Sequence, residues 1–316
     1  MLRGTVIKST GSWYSVRIDD TLAVLQCRII GKFRLNNQNL TNPVAVGDKV
    51  EIALEGAENG MIKKILPRAN YVARQSPHKR HDIHLMAANI DQALLFITIV
   101  EPSLKVGFID RFLLTTEPQD IHTVLVFNKC DLYDEEAMDT FQLMKNIYEA
   151  IGYTVLLVSA TAGTGLDELV AVLKDKTTMV SGQSGVGKST TVNAIQAQLN
   201  LRIGEISDYS GKGQHTTTFA EMFPLDFGGY LIDTPGIKTL AFNNLEPMDV
   251  THNFREFFEY SVKCKYGGSC THRNEPHCAV KDAIAEGLIS ELRYGNYLQI
   301  MEEVEDLNYW ERHREM

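Results

Sequence analysis

Apolar and polar residues alternate in short stretches over the first 70 positions, and turn-forming residues separate these stretches. The pattern predicts five strands, at 4–9, 13–18, 22–30, 48–54 and 61–66. No part of this section has the three- and four-residue apolar spacing of an amphipathic helix. Five short strands without a helix favour a small all-β barrel of the oligonucleotide-binding (OB) type, which we assign to residues 1–70.

The pattern changes after residue 70, where apolar strands alternate with amphipathic helices. Strands are predicted at 92–100, 123–128, 154–158, 177–180, 220–225 and 230–233. Helices are predicted at 109–116, 135–151, 165–173 and 188–199. This alternation is typical of an α/β domain with a mainly parallel sheet covered on both faces, and we assign it to residues 71–240.

Residues 74–84 stand apart because they are polar and basic and lack an apolar period. We interpret them as an exposed loop. The three histidines of this segment, His78, His81 and His84, are irregularly spaced and have no cluster of cysteines or carboxylates beside them. A solvated loop is therefore favoured over a metal site.

The last section, residues 241–316, returns to helical spacing. Helices are predicted at 248–262, 279–287 and 290–307. A helical domain of this size is too short to hold a large core, so it needs a further stabilising element.

The composition is that of a globular protein, with 44% hydrophobic and 22% charged residues among 316. The longest mostly apolar run, 93–100, is too short to span a bilayer, and residues 1–11 lack the apolar core of a signal peptide. We therefore expect a cytosolic protein with no membrane partner. Residues 1–70 hold ten Lys/Arg against six Asp/Glu and carry +4, while the remainder carries −13. This asymmetry directs an acidic partner to the barrel, although a solvated surface explains it equally well.

Basic and aromatic side chains fall close together in the predicted barrel. They are Trp13, Tyr14, Arg17, Arg28, Lys32, Phe33 and Arg34. Such groups supply the phosphate contacts and stacking surfaces that single-stranded or irregular RNA requires. The aromatic residues also suit a barrel core, and a barrel of this size also serves as a docking module, so the alternatives stay open.

The clearest motif is an uninterrupted G-x-x-x-x-G-K-[ST] match between a strand and a helix. Its members are Gly182, Gln183, Ser184, Gly185, Val186, Gly187, Lys188 and Ser189, and Thr190 follows. Glycines let the backbone N–H groups point inward, and the start of the helix adds positive potential, so phosphate oxygens are bound there together with Lys188. Ser189 would ligate Mg²⁺. An ordinary Gly/Ser turn is the alternative.

Two further motifs predict that the base is guanine. Asn128, Lys129 and Asp131 form an N-K-x-D match after the strand at 123–128, and Ser159 and Ala160 follow the strand at 154–158. The Asp131 carboxylate would accept from the N1–H and the exocyclic amine of guanine, whereas adenine has neither donor there. Asn128 would brace the loop, the stem of Lys129 would cover the base, and a backbone N–H at Ser159-Ala160 would meet the guanine O6.

A D-x-x-G motif, Asp233 to Gly236, ends the strand at 230–233. Asp233 would hold Mg²⁺ through a water molecule, and the Gly236 N–H would contact the γ-phosphate. Ile237 follows, where many GTPases place a glutamine that orients water, and Ile237 cannot do this. His215 is the candidate replacement because it donates or accepts a proton near neutral pH; a packing role is the alternative.

His215 belongs to a Gly-rich segment with a threonine run, residues 211–218, which suits a switch that orders when a hydroxyl reaches Mg²⁺. We take Thr217 as the candidate, with Thr216 and Thr218 as open alternatives and a plain loop as the simpler interpretation. Standard GTPases place N-K-x-D and S-A last, whereas here both precede the phosphate loop. This order indicates a circular permutation, in which the second switch leads directly into residues 241–316.

Three of the five cysteines lie close together near the C-terminus, in a C-x5-C-x-H-x5-C arrangement. Its members are Cys264, Cys270, His272 and Cys278. Three thiolates and one imidazole match a closed structural Zn²⁺ site that pins the small helical domain, with no open position for water. Unrelated cysteines are the alternative.

Together, the permuted motifs, the 211–218 switch and the Cys/His cluster resemble the ribosome-small-subunit-dependent GTPase family, also called RsgA, YjeQ or YloQ. The resemblance covers essentially the whole chain. It implies an N-terminal OB barrel, a permuted GTPase domain and a C-terminal zinc domain. It also implies a monomeric bacterial factor that binds GTP or GDP, the 30S subunit and 16S rRNA, with other assembly factors as further partners.

The family's activity is GTP hydrolysis stimulated by the 30S subunit, late in maturation of that subunit, and the resemblance assigns His215 the role of the absent glutamine. The alternative is a GTP-binding, RNA-binding scaffold with little hydrolysis, which intact Lys188, Ser189 and Asp233 argue against. An ATP-dependent kinase is disfavoured by Asp131.

Overall fold

The computed structural model describes residues 1–29, 40, 42–56, 58–75, 83–199, 220–234 and 245–312. Several predicted features lie outside the described residues. They are the middle of the 74–84 segment, the barrel residues Lys32, Phe33 and Arg34, the 211–218 switch with His215 and Thr217, and Gly236 with Ile237.

The first part of the chain forms the predicted five-stranded barrel. Its strands are β1 (Leu2–Ser9), β2 (Tyr14–Ile18), β3 (Val24–Ile29), β4 (Lys49–Leu54) and β5 (Asn59–Ile65). They pair in the order β1-β2-β3-β5-β4, and an antiparallel pairing of β4 with β1 closes the barrel. The barrel closes around alternate residues that are fully buried, among them Val6, Val16, Ile52 and Ile62. The OB-type expectation is confirmed.

The described ends of the segment interpreted as an exposed loop lie in two paired strands. Strands β6 (Tyr71–Gln75) and β7 (Ile83–Ala88) pair antiparallel, and β7 buries four consecutive residues from Leu85 to Ala88. The Asn42 side chain donates to the Leu85 carbonyl and accepts from its N–H, both at 2.9 Å. At these described ends the loop prediction was wrong, because the polar and basic composition of 74–84 outweighed the short apolar run that follows it.

The central part contains a six-stranded portion of sheet. Its strands are β8 (Gln92–Ile97), β9 (His122–Phe127), β10 (Thr154–Leu157), β11 (Thr177–Gly182), β12 (Glu221–Pro224) and β13 (Tyr230–Asp233). Their spatial order is β10-β9-β8-β11-β13-β12, with parallel pairing except between β12 and β13.

Helices cover both faces of this sheet, as the alternating pattern predicts. They are α1 (Val106–Thr116), α2 (Glu135–Ala150), α3 (Leu166–Leu173) and α4 (Lys188–Ile195), and a 3-10 turn at Ala197–Leu199 completes the predicted last helix. Successive residues of β8 point to opposite faces of the sheet and pack in two separate apolar clusters. Leu95 and Ile97 pack with α1 and α2, whereas Leu94 and Phe96 pack with α3 and α4.

The barrel is continuous with the central sheet. β1 pairs antiparallel with β12, with Lys8 opposite Glu221. The Arg17 guanidinium lies 4.4 Å from the ring centroid of Tyr230 on β13. Both contacts place the barrel against the strand pair that ends in Asp233.

The C-terminal part is helical. Its helices are α5 (Pro247–His252), α6 (Arg255–Ser261), α7 (Ala279–Ala285) and α8 (Glu291–Arg312). They enclose an apolar core that includes Phe254, Phe257 and Tyr297. This part docks on α1 through buried charges, because Arg293 on α8 donates to both Asp110 on α1 and Glu256 on α6. No helix in the described part of the chain is both long and apolar enough to cross a membrane.

Candidate functional site

Four predicted motif residues meet at one edge of the central sheet. Gly182 ends β11, Asn128 follows β9, Ser159 follows β10, and Asp233 ends β13. These four strands run parallel, so their carboxyl ends lie at the same edge. Ligands of open α/β sheets bind at this edge, which makes it the candidate nucleotide site.

The phosphate loop requires glycine at its start. Gly182 has a φ of +146°, and a Cβ atom there would lie 2.4 Å from the carbonyl oxygen of Phe96 on the neighbouring strand. The strand can therefore turn into the loop only without a side chain. Thr190, included among the predicted nucleotide contacts, is exposed on the first turn of α4.

Lys188 lies inside this loop. Its ammonium group donates to the carbonyl oxygens of Gly182 and Gln183, at 2.9 and 2.8 Å. Burial lowers the pKa of Lys188 to about 8, although the nearby Asp233 carboxylate acts in the opposite direction. Among the described residues this cation meets two carbonyl oxygens and the Asp233 carboxylate, an environment that favours an anionic ligand such as phosphate.

Asn128, whose side chain is buried, joins the phosphate loop to the base-recognition loop, residues 128–131. Its amide nitrogen donates to the Val186 carbonyl at 2.8 Å. Gly187 leaves the space for this contact, because a Cβ atom there would lie 2.5 Å from the same nitrogen. Asn128 therefore links the two loops through a buried hydrogen bond.

Asp131 is exposed next to this brace, and Ser159 donates a hydrogen bond to its carboxylate at 2.5 Å. The Ser159 N–H in turn bonds to the Thr164 carbonyl at 3.0 Å. These contacts bring the two predicted guanine motifs together and orient the carboxylate, whose remaining acceptor positions are available for two donors on a base edge.

Tyr133 supports the same loop and was not predicted. Its hydroxyl donates to the Asn128 carbonyl at 2.9 Å and accepts from the Ile99 N–H at 3.2 Å. Burial raises the pKa of Tyr133 to about 12, so the hydroxyl stays protonated. A tyrosine two residues after the motif carries no recognised sequence signal.

The oxygen-bearing side chains beside the phosphate loop fit Mg²⁺. Burial raises the pKa of Asp233, Lys188 lowers it, and Glu221 raises it further. A divalent cation would stabilise the ionised Asp233 carboxylate, and Ser189 begins α4 beside the phosphate loop, where its hydroxyl would offer a second hard oxygen. Thr234 fixes the following backbone by donating to the Val180 carbonyl at 2.8 Å.

The four predicted metal ligands converge in the C-terminal part. All four side chains are buried, and their ligand atoms lie within 4.8 Å of one another. The Nδ1 atom of His272 lies 3.4 Å from the Cys278 sulfur and 3.7 Å from the Cys264 sulfur. A tetrahedral Zn²⁺ with standard bond lengths separates its sulfur and nitrogen ligands by about 3.6 Å, so the spacing fits.

The protonation chemistry of this cluster also fits a metal. Burial raises the pKa of the Cys270 thiol to about 12, and the neighbouring cysteines act in the same direction. Burial lowers the pKa of His272, so its imidazole is neutral. A bound cation would replace the thiol protons.

The ligand loop is held by hydrogen bonds that the sequence did not reveal. Tyr294 donates to the His272 carbonyl at 2.7 Å, and Tyr297 donates to the Thr271 carbonyl at 2.6 Å. The Glu275 carboxylate accepts from the Thr271 and Arg273 N–H groups at 2.6 and 2.8 Å. These contacts preset the position of His272.

Comparisons with known sequences cover nearly the whole chain. The RsgA GTPase family model matches residues 65–243, and the RsgA N-terminal domain model matches residues 3–62. The small ribosomal subunit biogenesis GTPase RsgA of Phocaeicola vulgatus is 48% identical over 308 residues, with 98% of this chain and 99% of that protein covered. The protein of the same name from Flavobacterium psychrophilum is 47% identical over 304 residues, with 95% and 93% covered.

Solved structures agree with these matches. The crystal structure of YjeQ from Thermotoga maritima has a TM-score of 0.76 and 35% identity, covering 96% of this chain and 98% of that one. The structure of YloQ, described as a circularly permuted GTPase, has a TM-score of 0.73 and 33% identity, covering 97% and 96%.

The fold and the nucleotide edge define a GTPase with circularly permuted motifs, preceded by an OB-type barrel and followed by a helical metal-binding region. More specifically, the chain belongs to the RsgA GTPase family.

Proposed function

We propose that this protein hydrolyses GTP to GDP and phosphate in the late maturation of the small ribosomal subunit, and that the 30S subunit stimulates turnover. The observation that carries the proposal is the meeting of the guanine motif and the phosphate loop at one sheet edge, joined by Asn128. The names of relatives that match 95–98% of the chain support the ribosomal role.

The proposed roles follow the motifs. The phosphate loop from Gly182 to Ser189, with Thr190 and Gly236, binds the phosphates, and Asn128, Lys129, Asp131, Ser159 and Ala160 bind guanine. Ser189 and Asp233 would hold Mg²⁺, which would supply positive charge against the phosphates. Lys188 stabilises the charge that develops during phosphoryl transfer. His215 orients the attacking water and Thr217 completes the metal site.

The metal of the Cys/His cluster is a single structural Zn²⁺, because three thiolates and one imidazole form a closed tetrahedral set. We divide the chain at residues 1–70, 71–240 and 241–316. The barrel contacts 16S rRNA, and Arg28, stacked 3.9 Å from the Trp13 ring centroid, offers a cation and a stacking face for it. The protein works as a monomer in the cytoplasm beside its ribosomal partner and other assembly factors.

The test is hydrolysis of GTP and ATP with and without purified 30S subunits. GTP-specific turnover that rises strongly with 30S and disappears in Lys188→Ala supports the proposal. Preference for ATP rejects it, and GTP binding without turnover in either condition indicates a scaffold instead. In the same assay, His215→Ala should lose the stimulated rate while retaining GTP binding; unchanged stimulated turnover would remove His215 from the mechanism.

A further inference from the structure

Three charged residues lie in register across three adjacent strands. Lys8 on β1 is opposite Glu221 on β12, and Glu221 is opposite Asp233 on β13. Directly opposed residues of antiparallel strands project from the same face, with Cβ atoms about 5 Å apart. A barrel lysine and the candidate Mg²⁺ carboxylate therefore flank one glutamate.

The contact between barrel and sheet is a close ion pair. The Lys8 Nζ atom lies 2.7 Å from a carboxylate oxygen of Glu221, and the two side chains are 40% and 36% exposed. An isolated pair with this exposure contributes little to stability. The position of this ion pair matters more than its strength, because the pair lies beside Asp233 and affects the negative charge there.

Glu221 and Lys188 act on Asp233 with opposite signs. Glu221 is an anion directly across from Asp233 in the strand register, whereas Lys188 is a cation at the start of α4. Two neighbouring carboxylates repel each other and together attract a divalent cation. The Arg17–Tyr230 contact holds the barrel against β13 as well, so the barrel keeps Lys8 in place.

We propose that Glu221 and Lys8 are positioning residues for Mg²⁺: Glu221 adds negative charge beside Asp233, and Lys8 of the barrel neutralises part of it. This inference rests on the proposed Mg²⁺-dependent nucleotide site. It makes the barrel a determinant of metal affinity through a charged side chain rather than through a metal ligand.

The test uses the full-length protein and the release of a fluorescent GDP analogue as a function of Mg²⁺ concentration. Glu221→Gln should raise the Mg²⁺ concentration for half-maximal GDP retention by about threefold to tenfold, because one charge near a divalent cation is lost. Lys8→Ala should lower it by about twofold to fivefold, because Glu221 is no longer neutralised. Lys8→Arg retains the charge and should behave like the unmodified protein.

The double variant is decisive. In the Glu221→Gln background, Lys8→Ala should have a smaller effect, because the ion pair that holds the Lys8 ammonium group beside the site is already lost. Arg3→Gln is the matched control, since Arg3 pairs with Glu51 on the barrel surface, and it should not change the Mg²⁺ dependence.

Each other result overturns the inference. Equal effects of Lys8→Ala in both backgrounds, or unchanged Mg²⁺ dependence in the single variants, would contradict it while leaving the nucleotide site intact. If the unmodified protein retains GDP without regard to Mg²⁺, both the inference and the proposed metal role fail.

Discussion

The side-chain amide of Asn128 donates to the carbonyl of Val186 across 58 positions of the chain, at 2.8 Å. The first residue belongs to the candidate base-recognition loop and the second to the phosphate loop. Because the contact is buried, the two loops form one unit, and a change in either should alter the binding of both base and phosphates.

Gly187→Ala should weaken GDP binding strongly. The new Cβ atom would meet Asn128 Nδ2, and the residue has a φ of +86°. Backbone strain and the lost hydrogen bond together cost about 2 to 4 kcal/mol, on the order of a hundredfold in Kd. Fluorescence titration with a labelled GDP measures this.

Gly11→Ala is the control for Gly187→Ala because Gly11 has a similar φ of +82° but no neighbour within 4 Å. It should leave GDP affinity unchanged. A Gly187→Ala protein that binds GDP within about threefold of the unmodified chain would show that the brace between the loops is unimportant.

Tyr133→Phe should weaken GDP binding severalfold. The change removes the hydroxyl between the Asn128 carbonyl and the Ile99 N–H and leaves both backbone groups without that partner. The cost is about 1 to 3 kcal/mol of stability, concentrated in the base-recognition loop. Urea unfolding and GDP titration of Tyr133→Phe measure the two effects, and Tyr260→Phe is the control. Equal urea midpoints and equal GDP affinities in the two variants would refute the role of Tyr133.

Arg293→Met should lower the urea midpoint substantially. Arg293 is the cationic partner of both Asp110 and Glu256, whose side chains are buried, so removing the cation leaves two carboxylates without it at a cost of about 3 to 5 kcal/mol. Lys145→Ala, which breaks an exposed pair with Glu149, should cost at most about 0.5 kcal/mol. Adding Asp110→Asn to Arg293→Met should restore part of the loss; a purely additive result would show that the pair is not coupled.

Glu275→Gln should accelerate release of the bound metal. Partial burial raises the pKa of Glu275, but hydrogen bonds from Thr271 and Arg273 outweigh it and bring the pKa to about 2, so the group is ionised. Loss of such support around a ligand loosens metal binding about tenfold to a hundredfold. Transfer of Zn²⁺ to a colorimetric chelator reports the rate, and the exposed Glu286→Gln is the control; equal rates in the two variants would exclude this role.

Most of the architecture follows from local patterns. The barrel strands, the alternating strands and helices, and the motif positions are encoded by short-range periodicity and by contiguous residues such as Gly182 to Ser189. The Cys/His cluster could also be predicted from the sequence, because its four residues lie within fifteen positions and few functions other than metal binding need that combination.

Contacts between distant segments could not be predicted from the sequence. The pairing of Lys8 with Glu221 joins strands far apart in the chain, and neither residue has a distinctive neighbourhood. Arg293 gives no sign of burial, because arginine on a polar helix normally faces water. The strand at Ile83–Ala88 was missed because its apolar run is short and follows a basic stretch.

The buried Arg293–Asp110 pair also sets the order in which the chain completes its folding during synthesis. The two residues are 183 positions apart. At typical elongation rates Asp110 is made roughly ten to forty seconds before Arg293. In that interval the Asp110 carboxylate can accept from Tyr148 but lacks its cationic partner. Helix α1 therefore reaches its final packing only after α8 has been made, so the central sheet and the region of the Cys/His cluster complete their shared contact together.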